Sequence, residues 1–248
     1  VSDREHPPPK LFRPSRDVAL VALREVAVTL RSGLSPLARL RPLPSPARPP
    51  AAEARPPVLM VHGYMASADV LRPLARRLLT EGWHDVRLIA YPSLTATMEQ
   101  ILERIALDVI TAAREHGGKV DLVGHSLGAV ACRVWLKLYG GDAHVRRFVS
   151  LGGPHAGTSL YRLVPSPVRE VFDPRGPWVS LIGEGPEPVP TTVIRARYDH
   201  QVFPPTRACI PGADEHIVEA HGHNGLLWSS QAHQAVIDAL RAPDAPPA

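Results

Sequence analysis

The chain has 248 residues, 44% of them hydrophobic and 21% charged, which is the composition of a globular domain with a sizeable core. Its formal net charge of +4 is unevenly placed: residues 1–57 hold 10 Lys and Arg against 5 Asp and Glu, while the remainder holds 18 against 19. The body is therefore near neutral, and with no basic stripe interleaved with aromatics the composition argues against nucleic-acid binding.

The N-terminal arm comes first. The stretch "RDVALVALREVAVTLRSGLSPLARL" is apolar enough for a helix but is interrupted by Arg24 and Glu25. No uninterrupted run approaches a membrane span, so a helix docked on the domain surface is expected in preference to one lying on a membrane. Twelve of the 28 prolines fall in the first 57 residues, and "RPLPSPARPPAAEARPP" (41–57) reads as an extended linker. The expected division is an arm over 1–56 and a catalytic domain over 57–248.

From residue 57 onward, strand-like and helix-like stretches alternate. "PPVLMVHG" (56–63) reads as a buried strand feeding a loop, and "ADVLRPLARRLLTEG" (68–82) as a helix with a glycine stop. "DVRLIAYP" (85–92) is the next strand, and "SLTATMEQILERIALDVITAAREHGG" (93–118) is a long amphipathic helix. The strand "KVDLVGHS" (119–126) leads into the helix "LGAVACRVWLKLYGG" (127–141). Two further strands, "VRRFVSLGGP" (145–154) and "PTTVIRARYD" (190–199), precede a closing helix, "GLLWSSQAHQAVIDAL" (225–240). "EHIVEA" (215–220) resembles the start of another strand. Such alternation predicts an α/β fold with a mostly parallel sheet covered on both faces, its chemistry collected at the carboxyl ends of the strands.

Ser126 stands at one of those ends, within "GHSLG". Gly-x-Ser-x-Gly carries meaning between a strand and a helix, where Gly124 and Gly128 let the two approach and the serine oxygen projects from the turn. A serine needs a base in reach and a carboxylate to orient that base. In this fold they follow in the order serine, acid, histidine. Asp199 ends a strand and opens a loop, with Asp214 as the rival acid. "HGHNGLLWSSQ" places His221 and His223 before the last helix, and both remain candidates on position alone. His155, His200, His216 and His233 have weaker claims, since none immediately precedes that helix. The oxyanion donors expected are the backbone N–H of Leu127 and, from the loop "VHGYMAS", that of Tyr64. His62 suits bracing of that loop better than catalysis.

In order, "VHGYMAS", "GHSLG", "LGGPHAGT" and "HNGLL" resemble the compact bacterial lipases of the α/β-hydrolase superfamily, over roughly residues 57–241. The resemblance implies an α/β-hydrolase fold and a triad of Ser126, Asp199 and His223. It also implies an oxyanion hole from Tyr64 and Leu127, and "HNGLL" favours His223 over His221. Gly153 stands where that family usually has threonine, and the arm has no counterpart in it. The activity implied is carboxylic-ester hydrolysis through an acyl-enzyme, on acylglycerols or on other, including polymeric, esters. An acyltransferase with the same triad is the alternative, and a non-catalytic binding protein a more distant one.

The insertion over 154–189 is proline-rich and too short for a large lid domain, so a shallow, open site is expected. No cofactor is implied, and no acidic cluster or His-x-x-x-His spacing suggests a metal. Cys132 and Cys209 are expected to be free thiols. Lys10, Lys119 and Lys137 are the only lysines, a bias towards arginine that points to a GC-rich bacterial genome. No signal peptide is visible in a chain that opens at Val1, which leaves secreted and cytoplasmic locations both open, as is oligomeric state. Because every expected catalytic residue lies beyond the linker, the arm is expected to be dispensable for activity on soluble esters.

Overall fold

The computed structural model describes residues 16–33, 42–45, 54–164 and 167–243. Six strands form one sheet: β1 (Val58–Val61), β2 (Val86–Ile89), β3 (Val120–His125), β4 (Val145–Leu151), β5 (Thr191–Ala196) and β6 (Asp214–Val218). Their order across the sheet is β2-β1-β3-β4-β5-β6, and every neighbouring pair is parallel. All the carboxyl ends therefore open on one edge, with β1, β3 and β4 at the centre.

The short apolar runs become strands because both sheet faces are covered. Successive residues of β1 point to opposite faces, so Leu59 and Val61 enter one cluster and Val58 and Met60 the other. The first cluster is closed by α3 (Met98–His116) and α4 (Leu127–Leu138), the second by α2 (Arg72–Thr80) and α7 (Ser230–Arg241). Each fully buried Leu or Ile in these layers is worth about 1.5–3 kcal/mol.

Helix boundaries differ from the sequence reading where a side chain caps the backbone. The helix expected from residue 93 begins at Met98, because Thr97 and Gln100 form a reciprocal capping box. The helix expected over 225–240 is split: Asn224–Leu227 is a 3-10 turn, and the Ser229 hydroxyl then accepts from Ala232 N–H to start α7. The first four residues of the strand-like "EHIVEA" (215–218) lie within β6, the sixth strand at the edge of the sheet.

The insertion after β4 carries a 3-10 turn (Tyr161–Leu163) and two short helices, α5 (Arg169–Phe172) and α6 (Pro177–Gly183). A buried ion pair between Arg133 of α4 and Glu187 anchors its end. In the arm, α1 spans Arg16–Gly33 and packs against the Asn224–Leu227 turn. The continuation of that helical reading towards residue 40, and the linker over 46–53, lie outside the described residues. Cys132 is a buried free thiol and Cys209 a partly buried one. Among the described residues no helix is long and apolar enough to cross a membrane.

Candidate active site

The turn from β3 into α4 is the tightest feature of the sheet's carboxyl edge. Ser126 holds φ 54° and ψ −122°, a conformation that costs a non-glycine residue on the order of 1–3 kcal/mol. The flanking glycines make it possible. A Cβ on Gly124 would lie 2.5 Å from Ala129 Cα, and one on Gly128 would lie 2.4 Å from the His62 carbonyl oxygen. Any side chain at either position would push α4 off the sheet. Ser126 N–H donates to the Leu151 carbonyl at 2.9 Å, which pins the elbow to β4.

Asp199 follows the carboxyl end of β5. One carboxylate oxygen, Oδ1, accepts from the N–H groups of Gln201 and Val202, both at 2.8 Å. The other, Oδ2, is 2.8 Å from His223 Nδ1. Both side chains are 1% exposed, so this pair is shielded from water. Burial alone would raise the Asp199 pKa, but the His223 charge and hydrogen bond, with the two N–H donors, hold it below the usual carboxylate value. Burial likewise lowers His223, yet the charge and hydrogen bond of Asp199, with a further contribution from Glu25, leave it above the ordinary imidazole value. Nδ1 bonded to a carboxylate fixes the tautomer whose Nε2 is a free acceptor. His223 Nε2 has no partner among the described residues.

Ser126, His125, His223 and Tyr64 line one cleft of about 640 Å³. Leu127 is the first residue of α4 and is buried directly behind Ser126. The loop after β1 is braced from two sides. Tyr91 donates its hydroxyl to the His62 carbonyl, and the Ser93 hydroxyl both donates to the Ala66 carbonyl and accepts from the Ala66 N–H. His62 itself is fully buried, stacked on Tyr91 at 4.2 Å, and lowered in pKa by that burial. It braces the loop and does not face the cleft.

The rivals separate cleanly. Asp214 is exposed at the start of β6 and pairs in register with Thr192, at the amino-terminal end of the sheet. His221 is half-buried, with its pKa lowered first by burial and then by the Arg24 charge. His155 is buried on the Ser150 hydroxyl at 2.7 Å, and His233 Nε2 lies 2.9 Å from the Leu227 carbonyl. His216 is exposed on β6. His200 lines the rim of the cleft. His125, inside the elbow motif, tilts against His223 with ring centroids 5.0 Å apart, and burial pushes it down to about 3.

The insertion, short as it is, contributes to the cleft. Leu160, Leu163, Val164 and Phe172 of the insertion raise one wall, and Thr29 of α1 contributes to another. Thr158 ties the insertion to the acid loop: its hydroxyl donates to the Gln201 carbonyl at 2.8 Å and accepts from Phe203 N–H at 3.0 Å. The sequence reading passed over Glu25, Ser93 and Thr158. Of the three, Glu25 entered it only as an interruption of the apolar stretch that becomes α1.

Residues 57–188 match the palmitoyl protein thioesterase family model. Among solved structures, lipase B of Aspergillus fumigatus is 19% identical with a TM-score of 0.67, over 80% of this chain and 56% of that one. A lipase of Bacillus licheniformis in its mature form is 15% identical with a TM-score of 0.63, over 80% and 95%. An esterase of Exiguobacterium antarcticum is 16% identical with a TM-score of 0.54, over 76% and 93%. The chain thus spans little more than half of the Aspergillus lipase but nearly all of the two bacterial proteins. At these identities the likeness is one of fold.

Proposed function

Because the chain belongs to the palmitoyl protein thioesterase family, as a carboxylic ester hydrolase on the α/β-hydrolase fold, we propose that Ser126, His223 and Asp199 cleave acyl esters and thioesters through an acyl-enzyme. The observation that carries this reading is the buried 2.8 Å bond from His223 Nδ1 to Asp199, beside a cleft shared with Ser126.

In the first half-reaction the Ser126 hydroxyl oxygen attacks the carbonyl carbon and its proton passes to His223 Nε2. Asp199 stabilises the imidazolium formed, without taking the proton itself. The N–H groups of Tyr64 and Leu127 receive the charge that develops on the carbonyl oxygen. Collapse of the tetrahedral species breaks the carbon–oxygen or carbon–sulfur bond, and the leaving alcohol or thiol takes its proton from His223. Water, deprotonated by the same Nε2, then attacks the acyl-enzyme and releases the acid.

The walls of the cleft are mostly apolar, with Tyr64, Val70, Leu160, Leu163, Val164 and Phe172 among them, and its volume suits a flexible acyl chain. Medium and long acyl groups are therefore the proposed substrates, on a glycerol, thiol or polymer leaving group. A matched series of p-nitrophenyl esters and acyl thioesters from acetyl to palmitoyl tests this. The expected result is kcat/KM rising with chain length well beyond butyryl, in both the oxygen and the sulfur series. A maximum at acetyl with a steady fall thereafter would contradict an acyl-binding cleft.

A further inference from the structure

The segment that carries His223, residues 220–225, runs from beyond β6 into the Asn224–Leu227 turn and joins no sheet. Its buried N–H groups need acceptors from elsewhere. They find them on a single carboxylate from the N-terminal arm. Glu25 Oε1 accepts from Gly222 N–H at 3.0 Å and from Gly225 N–H at 2.8 Å, and Oε2 accepts from Asn224 N–H at 3.0 Å. The three donors bracket His223 on both sides.

The glycines of this loop are explained by clearance for that carboxylate. A Cβ on Gly222 would come within 2.6 Å of Glu25 Cγ, and one on Gly225 within 2.5 Å of Glu25 Oε1. The residues next to Glu25 on α1 extend the grip. Arg24 donates to the Ala220 carbonyl at 3.0 Å, and Asn224 Nδ2 donates to the Thr29 hydroxyl at 3.3 Å. Glu25 is 5% exposed although it sits on a helix whose Leu23, Val26 and Leu30 face outward. A carboxylate taken out of water is costly unless its lone pairs are used, and here three N–H groups use them.

We infer that Glu25 is a positioning residue of the active site, clamping the histidine loop so that His223 is held between Asp199 and Ser126. This rests on the reading of His223 as the general base. It makes α1 a working part of the site, where the sequence reading expected a dispensable arm. The titratable groups acting on or packed against His223 are Asp199 from the loop after β5, His125 from the end of β3 and Glu25 from α1, while His200, on the cleft rim, lies 3.9 Å from Glu25. Of these, the Glu25 charge acts with that of Asp199 in favouring the protonated imidazole.

The test is Glu25→Gln in the full chain, assayed on p-nitrophenyl butyrate from pH 5 to 9 beside His223→Ala. The substitution keeps the shape but removes the charge and turns one acceptor into a donor. The expected result is kcat lower by ~10- to 100-fold with KM little changed, as for a misplaced catalytic group. The acidic limb of kcat/KM should also move to lower pH, since an anion that favours the imidazolium is gone. A wild-type kcat and an unmoved limb, with His223→Ala inactive, would overturn the clamp and leave the triad standing. A lowered kcat with the limb unmoved would equally overturn it, as loss of packing alone. Full activity in His223→Ala would overturn the triad reading and this inference together. Should Glu25→Gln fail to fold, hydrogen exchange of the wild type decides: the Gly222, Asn224 and Gly225 amides are expected to be as protected as core amides. Exchange at the rate of exposed loop amides would overturn the clamp.

Discussion

Asp199 and His223 move one another's protonation in opposite directions, the carboxyl down and the imidazole up. Opposite shifts are what a pair must show whose favoured state is anion beside cation. The consequence for catalysis follows from the role of the neutral imidazole. A base whose pKa is raised must lose its proton at a higher pH before it can accept one from Ser126. The acidic limb of kcat/KM is therefore expected above the ordinary histidine value of about 6.5. Asp199→Asn should lower kcat by several orders of magnitude, on the scale of ~10⁴-fold, because the amide favours the wrong tautomer. Whatever activity remains should show the limb at lower pH. A pH profile measured on both proteins checks the two effects together, and near-normal activity in the variant would point to another acid.

At the scale of elements, the elbow between β3 and α4 is set by contact rather than by propensity. Gly128→Ala would drive a methyl group to 2.4 Å from the His62 carbonyl oxygen and 2.5 Å from that of Val61, the last residue of β1. Neither the strand nor the helix can yield without disturbing the two buried clusters. The expected cost is at or above the ~3 kcal/mol that marks severe overpacking, read from urea unfolding of the wild type and variant. Unchanged stability would mean that the approach of α4 to β1 is looser than the geometry implies. The same contrast decides what could be read from the sequence. The four inner strands, β1, β3, β4 and β5, were legible because both of their faces are covered, so their apolar runs have nowhere else to go. The start of α3 was not, because a Thr97–Gln100 capping box competes with the helical pattern of residues 93–97. The split before α7 was hidden for a similar reason, since Ser229 looks like any helix residue until its hydroxyl is seen capping Ala232.

Over the whole molecule, the site divides into what sits in motifs and what is assembled by folding. Ser126 and His223 stood out in the sequence because each lies beside glycines in a short, ordered pattern, and Asp199 because it follows the apolar run that forms β5. Glu25 could not, since the loop it holds lies about two hundred residues away and nothing local marks a carboxylate on an apolar helix stripe. The full lining of the cleft was not legible either, because it draws on the insertion and on α1 together. The parallel sheet brings these distant pieces to one edge, where the elbow presents a single strained serine to all of them.

That serine is where the account can be tested most directly. A fluorophosphonate probe reacts with a serine only when a base activates it and an oxyanion hole receives the charge. The chain should form one stoichiometric adduct, which peptide mass spectrometry should place on Ser126, with ester hydrolysis lost in parallel. Ser126→Ala should take no label and show no hydrolysis while keeping its unfolding transition. An adduct on another residue, or a Ser126→Ala protein that still turns over esters at the wild-type rate, would contradict the assignment of this site.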